Sequence, residues 1–114
     1  MTPEEKRIAI AEECGWKDIK HTFHEEADIE NRSITHWSGL TGIPPEFIHY
    51  QNRIRIPDYL NDLNAMHEAE KTMTDRQKDD YRIELAYYYG NGGIFATAAQ
   101  RADTFLYTIG KLEE

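Results

Sequence analysis

His67-Glu68-Ala69-Glu70-Lys71 opens like the zinc-protease signature, in which two histidines four residues apart on one helix face bind the metal and the intervening glutamate serves as base. Lys71 stands where the second histidine is needed, and the motif fails there. Asp58 and Asp62 lie one helical turn apart and could share a cation. Both fall where a helix begins, however, and acids belong there for capping and for the helix dipole alone. His21, His24, His36 and His49 show no ligand spacing, and Ser33 and Ser38 sit in no G-x-S-x-G elbow. The glycines of Gly90-Asn91-Gly92-Gly93 lack the Lys-Ser or Lys-Thr of a phosphate loop. Nothing in the spacing couples Cys14 to His67 as nucleophile and base. No catalytic residue, metal ligand or cofactor is assigned on these grounds.

Two polar and aromatic groupings need an account beyond solvation. Asn61, Asp62, Asn64, His67, Glu68 and Glu70 form a dense row on one predicted helix, although asparagine is a poor helix former. Asn61 and Asn64 are expected to bond to backbone of a neighbouring sheet or to Gln100 and Arg101. Alternatively the row faces a partner, with Arg101 as a bidentate anchor either for a partner's acid or, internally, for Glu70. Tyr87, Tyr88 and Tyr89 are consecutive and span roughly 200° of a helix, so at least one must lie outside the core. An exposed tyrosine is large and can hydrogen-bond, which suits a protein interface. Asp79 and Asp80, on the same helix, are the acids expected to form its rim.

The elements that would position these groups follow from caps and periodicity. Thr2, Pro3 and Glu5 predict a first helix with a capping box, ended by Gly15, with Ile8, Ala11 and Cys14 or Trp16 as its apolar stripe. Alternation around Ile19, His21 and Phe23, around Ile34 and His36, and over Phe47 to Ile56 predicts three antiparallel strands. Their connections are expected at Asn31-Arg32-Ser33 and at Gly39 through Pro45. Pro57 ends the last strand, and Asp58 is the expected cap of a second helix with Leu60, Leu63, Met66, Ala69 and Met73 inside. Thr74-Asp75-Arg76-Gln77 predicts a capping box for a third helix that buries Tyr81, Leu85 and Tyr88. A fourth helix carries Phe95, Ala98, Ala102, Phe105 and Ile109, with Gly110 ending it. The prediction is one α+β domain over residues 1–114, a small antiparallel sheet of about three strands sandwiched by about four helices, with Leu60, Leu63, Met66, Phe105 and Ile109 in one core.

Charge and composition narrow the partners. The 114 residues carry 21 acids against 13 lysines and arginines, a net charge of −8. Both halves are acidic, ten against seven through Pro57 and eleven against six after it, so there is no basic stripe for phosphates and direct nucleic-acid binding is disfavoured. Apolar runs fall far short of the roughly 20 residues of a membrane helix. The start Thr2-Pro3-Glu4-Glu5 has neither a basic nor an apolar run, so no secretory leader or transit sequence is expected. Cys14 is the only cysteine, which excludes an intramolecular disulfide and fits a reducing cytoplasm, where it would serve as a small core residue.

Pro57 to Lys71 (PDYLNDLNAMHEAEK) and Ala96 to Glu114 (ATAAQRADTFLYTIGKLEE), with weaker support from Arg7 to Trp16, resemble the phage ABA sandwich domain family. No such likeness covers roughly residues 17–56. The family consists of small proteins of tailed phages and prophages and is known mainly as a fold. The resemblance implies helices on both sides of the sheet, a host-cytoplasmic location, and packing of the Asn61–Glu70 row against the segment containing Arg101. Joined to the acidity and the tyrosines, it leads to the expectation of a non-enzymatic accessory protein that binds a host or phage protein. Occlusion of a basic, nucleic-acid-handling host defence protein, in the manner of an anti-CRISPR protein, is the leading form. A structural, assembly or housekeeping role is the alternative. A small enzyme or ligand sensor built on Asp62, His67 and Glu70 requires a pocket beside that helix. The oligomeric state stays open.

Overall fold

Each helix starts where a side chain satisfies the orphan amides of its first turn. In the computed structural model, which describes residues 1–28, 30, 32–45 and 53–112, helix α1 (Pro3–Glu13) begins at Thr2, whose hydroxyl oxygen accepts from the Glu5 amide at 3.1 Å. Helix α3 (Asp75–Tyr89) has the full capping box expected at Thr74 and Gln77. Helix α4 (Ala98–Thr108) has a second one, Thr97 with Gln100, in the same T-x-x-Q pattern.

Helix α2 (Leu63–Glu70) begins four residues later than expected. Asp62, not Asp58, is its cap, accepting from the amides of Asn64 and Ala65. Asp58 instead closes the preceding turn, its carbonyl taking the amides of Asn61 and Asp62. The shift rephases the helix. Ala65, Met66 and Ala69 are buried, followed by Met73, whereas Leu60 is half-buried and Leu63 is 41% exposed.

Two units account for the internal contacts, one formed by Met1–Cys14 with Pro57–Glu114 and the other by Gly15–Ile56. In the helical unit α4 packs against α1, α2 and α3, and its fully buried Phe105, Leu106 and Ala102 join Met66, Ile10 and Ala11 as core residues. Ile10 takes the place expected for Ile8, which is half-buried. Phe95 precedes α4 and is 79% exposed, and Ile109 is half-buried after its last turn, so of the five residues expected in one core only Met66 and Phe105 are fully enclosed. On α3 the buried stripe is Tyr81 and Leu85, continued by half-buried Tyr89 rather than Tyr88, because the four-residue step keeps to one face.

The second unit is a three-stranded antiparallel sheet in chain order: β1 (Lys17–Asp28), β2 (Ser33–Ile43) and β3 (Ile54–Arg55). The architecture is α+β, four helices with this sheet. Gly39 through Ile43, expected as a loop, are strand: His21 lies opposite Leu40 and Thr22 opposite Gly39. Gly42 permits the close approach, since a Cβ there would meet the Lys17 carbonyl oxygen at 3.1 Å and the Trp16 ring at 3.3 Å. The break falls at Pro44. At the other turn, Arg32 takes φ +53° and Ser33 already belongs to β2, while residue 31 lies outside the described residues. Of the strand expected over Phe47 to Ile56, only Ile54 and Arg55 are seen as strand, and residues 46–52 lie outside the described ones. Ile19 is half-buried, but Phe23 is exposed. Arg53 ties the three strands together, pairing with the Asp18 carboxylate and donating to the Thr41 carbonyl at 3.1 Å.

Candidate functional site

Glu70 and Arg101 anchor the first of two sites on the helical unit. Arg101, on α4, has 12% of its side chain exposed and Glu70, ending α2, has 21%. The guanidinium Nη1 donates to both carboxylate oxygens at 3.3 and 3.4 Å, Nη2 to the Gly93 carbonyl at 3.1 Å, and Nε to the Ala96 carbonyl at 3.3 Å. One side chain thereby joins two helices and the segment between α3 and α4. His67 reaches Glu70 from the other side, Nδ1 to Oε1 at 3.1 Å. The internal role considered for Arg101 is the observed one.

The asparagines of the row behave differently from expectation. Asn61 donates to the Asp58 carboxylate at 3.0 Å, and Asn64 is exposed and contributes its amide to the Asp62 cap. Gln100 is spent on Thr97. Local bonds win because both asparagines fall at or before the first turn of α2, where the Asp58 carboxylate takes the Asn61 side chain and the Asp62 cap takes the Asn64 backbone amide. Asp62, His67 and Glu70 do not converge as a triad, since Asp62 is the cap while His67 and Glu70 pair with each other.

Beside Glu70 opens a cleft of about 310 Å³ between the end of α2, the inner face of α3 and the Asn91–Gly93 turn. Tyr81 lines it and is only 4% exposed. Its hydroxyl is buried and, among the described residues, makes no hydrogen bond of good geometry, although Glu70 and Arg101 stand close enough for their charges to act on it. Burial first and the Glu70 carboxylate second push the phenol well above its ordinary value near 10, with Arg101 opposing. Folded Tyr81 therefore keeps its proton where the unfolded chain has lost it, so its contribution is complete below about pH 10 and is lost as pH rises beyond that. Urea unfolding of Tyr81→Phe and the parent between about pH 8 and pH 11 should show a shallower alkaline decline in the variant. Parallel declines would remove Tyr81 as the cause.

The second site is an acidic and aromatic groove between α3 and α4 made of two adjoining cavities of about 160 and 610 Å³. Glu84, Tyr107 and Leu112 line both parts, Tyr88, Tyr89 and Asp103 the first, and Asp80 and Ile83 the second. Tyr88 is 52% exposed and packs edge-to-face on Tyr87 with ring centroids 5.1 Å apart. Tyr87 projects furthest but lies outside the groove, and Asp79 faces Arg82 at 4.0 Å. Of the residues singled out from sequence, Tyr88, Tyr89 and Asp80 are brought together, whereas Tyr87 and Asp79 are not. Ile83, Glu84, Asp103 and Tyr107 complete the groove. The signal for its α3 side lies in the sequence, since Asp80, Glu84 and Tyr88 follow at four-residue steps.

Against this geometry, no family model, curated protein or solved structure matches the chain. Among the described residues no helix is long and apolar enough to cross a membrane, and no three His, Cys, Asp or Glu side chains converge as metal ligands. Cys14 is half-buried and burial pushes its thiol above the ordinary value, the opposite of what a reactive thiolate needs.

Proposed function

We propose that the protein acts by binding another protein through the α3–α4 groove, and that the partner surface is basic. The observation that carries this reading is the placement of Asp80 and Glu84 beside Tyr88 and Tyr107 in one groove, aromatic anchors set among acids. The net charge of −8 adds long-range attraction to a basic partner. With the phage ABA sandwich resemblance, the reading becomes a phage accessory protein working in the host cytoplasm, which occludes a nucleic-acid-handling defence protein by occupying its basic groove.

Affinity capture from infected-host lysate should recover such a protein in stoichiometric amount, and Glu84→Lys should lose it. Binding of the purified partner should then slow as salt rises, because the screening length falls from about 10 Å at 0.1 M to about 3 Å at 1 M. Tyr88→Ala is expected to weaken affinity by about 1 to 2 kcal/mol, while Asp80→Asn acts mainly on the association rate. Salt-insensitive binding with Tyr88 and Tyr107 both dispensable would reject the groove. Recovery of phage structural proteins alone would move the role to assembly.

A further inference from the structure

The cleft beside Glu70 inverts the charge balance of the chain. Lys71, Lys78, Arg82 and Arg101 line it against a single acid, Glu70, so four of the 13 basic residues converge on one small cavity of an acidic protein. Arg101 and Glu70 are spent on each other. The remaining three cations are uncommitted to anything buried. Lys71 pairs with Glu68 at 2.8 Å and Arg82 with Asp79 at 4.0 Å, both in solvent, where such pairs are weak and easily exchanged. Lys78 has no carboxylate partner among the described residues. Lys78 and Arg82 lie one turn apart on the side of α3 opposite Asp80 and Glu84, so the two sites use different faces of one helix.

A second, independent observation lies on the wall of the same cavity. The Tyr81 hydroxyl, in a side chain that is almost wholly buried, makes no hydrogen bond of good geometry to its neighbours Glu70 and Arg101, and an incoming acceptor can supply one. Met73, Leu85 and Ile94 give the rest of the wall an apolar character. The volume of about 310 Å³ suits one small molecule. Three cations and one buried hydroxyl call for more acceptor oxygens than the two of a carboxylate, and a doubly charged tetrahedral phosphate supplies them.

We infer that this cleft binds a small phosphate monoester, its phosphate held by Lys78, Arg82, Lys71 and the Tyr81 hydroxyl and its apolar or aromatic body against Leu85 and Ile94. The site is independent of the α3–α4 groove and stands or falls separately from it.

Phenyl phosphate is the probe, titrated into the full chain while amide resonances are followed. Saturable shifts at Gly92, Gly93 and Ile94, with a Kd at or below about 1 mM, are expected. Lys78→Ala and Arg82→Ala should each weaken binding about tenfold, and Tyr81→Phe at least about threefold. Asp79→Asn, which releases Arg82, should strengthen it. Benzoate should bind more weakly than phenyl phosphate. Lys78 is only half-buried, so Lys78→Ala keeps the test open even where Tyr81→Phe perturbs the fold. Absence of saturable shifts at about 10 mM phenyl phosphate, shifts unchanged by Lys78→Ala, or equal binding of benzoate would each overturn the inference.

Discussion

Arg101→Ala is expected to destabilise the helical unit by about 2 to 4 kcal/mol, a large share of the roughly 5 to 15 kcal/mol that holds an ordinary domain folded. The side chain donates to four oxygens on two segments, the Glu70 carboxylate that ends α2 and the carbonyls of Gly93 and Ala96 between α3 and α4. Removal leaves Glu70 with His67 and the neighbouring Tyr81 hydroxyl but no cationic guanidinium, in a site where it is mostly shielded from water, and an uncompensated shielded charge is the expensive part of breaking such a pair. The expectation sits below the full range for a wholly buried pair because about a fifth of Glu70 still meets solvent. Arg101→Lys should recover only a minor part, since one ammonium nitrogen cannot reach the Glu70 carboxylate and both carbonyls, which the guanidinium serves with three nitrogens. Urea unfolding measures each variant. A loss below about 1 kcal/mol for Arg101→Ala would mean that the network is decorative.

The same residues show what a sequence can and cannot disclose. Arg101 and Glu70 are readable as partners because they carry opposite charges on two helices that the sequence predicts. The caps at Thr2 and Thr74 are readable because capping is a local event, decided within four residues. Between Asp58 and Asp62 local chemistry does not choose. Both are good caps, and the outcome rests on the turn that Asp58 closes with its own carbonyl. Thr97 and Gln100 form the same box as Thr74 and Gln77, a local signal that the neighbouring arginine and the apolar stripe of α4 obscure.

Gly39 to Ile43 mislead in the other direction. Glycines and a following Pro-Pro pair read as loop, yet the ladder to β1 claims them, a long-range pairing that local propensity does not contain. The acidic groove is half legible because its α3 side repeats every four residues, whereas Tyr107 and Asp103 come from α4. The basic cleft is legible only on α3, where Lys78 and Arg82 stand at a four-residue step. Lys71 and Arg101 lie outside that helix, and only the packing of α2, α3 and α4 brings the four together.

Gly93→Ala is the second large expected effect, about 2 to 5 kcal/mol, and it arises from two separable causes. Gly93 holds φ at +78°, where a Cβ costs about 1 to 2 kcal/mol through its own backbone. A Cβ built there would also lie 2.6 Å from Leu85 Cγ and 2.7 Å from Cδ2, and Leu85 is itself buried on α3. Neither side can yield cheaply. Leu85 is held in the core, while the Gly93 carbonyl is pinned by Arg101 Nη2 and by the Ala96 amide at 3.1 Å. Overpacking of this kind adds about 1 to 3 kcal/mol. The neighbouring Gly92 separates the two terms, because it shares the left-handed backbone at φ +67° but has nothing within 4 Å of a built Cβ. Gly92→Ala should therefore lose only the backbone part, and a double variant, Gly93→Ala with Leu85→Ala, should be less damaging than the sum of its parts because the clash is gone. Equal melting losses for Gly92→Ala and Gly93→Ala would show that backbone strain alone sets the requirement for glycine, and that Leu85 does not press on the turn that carries one wall of the cleft.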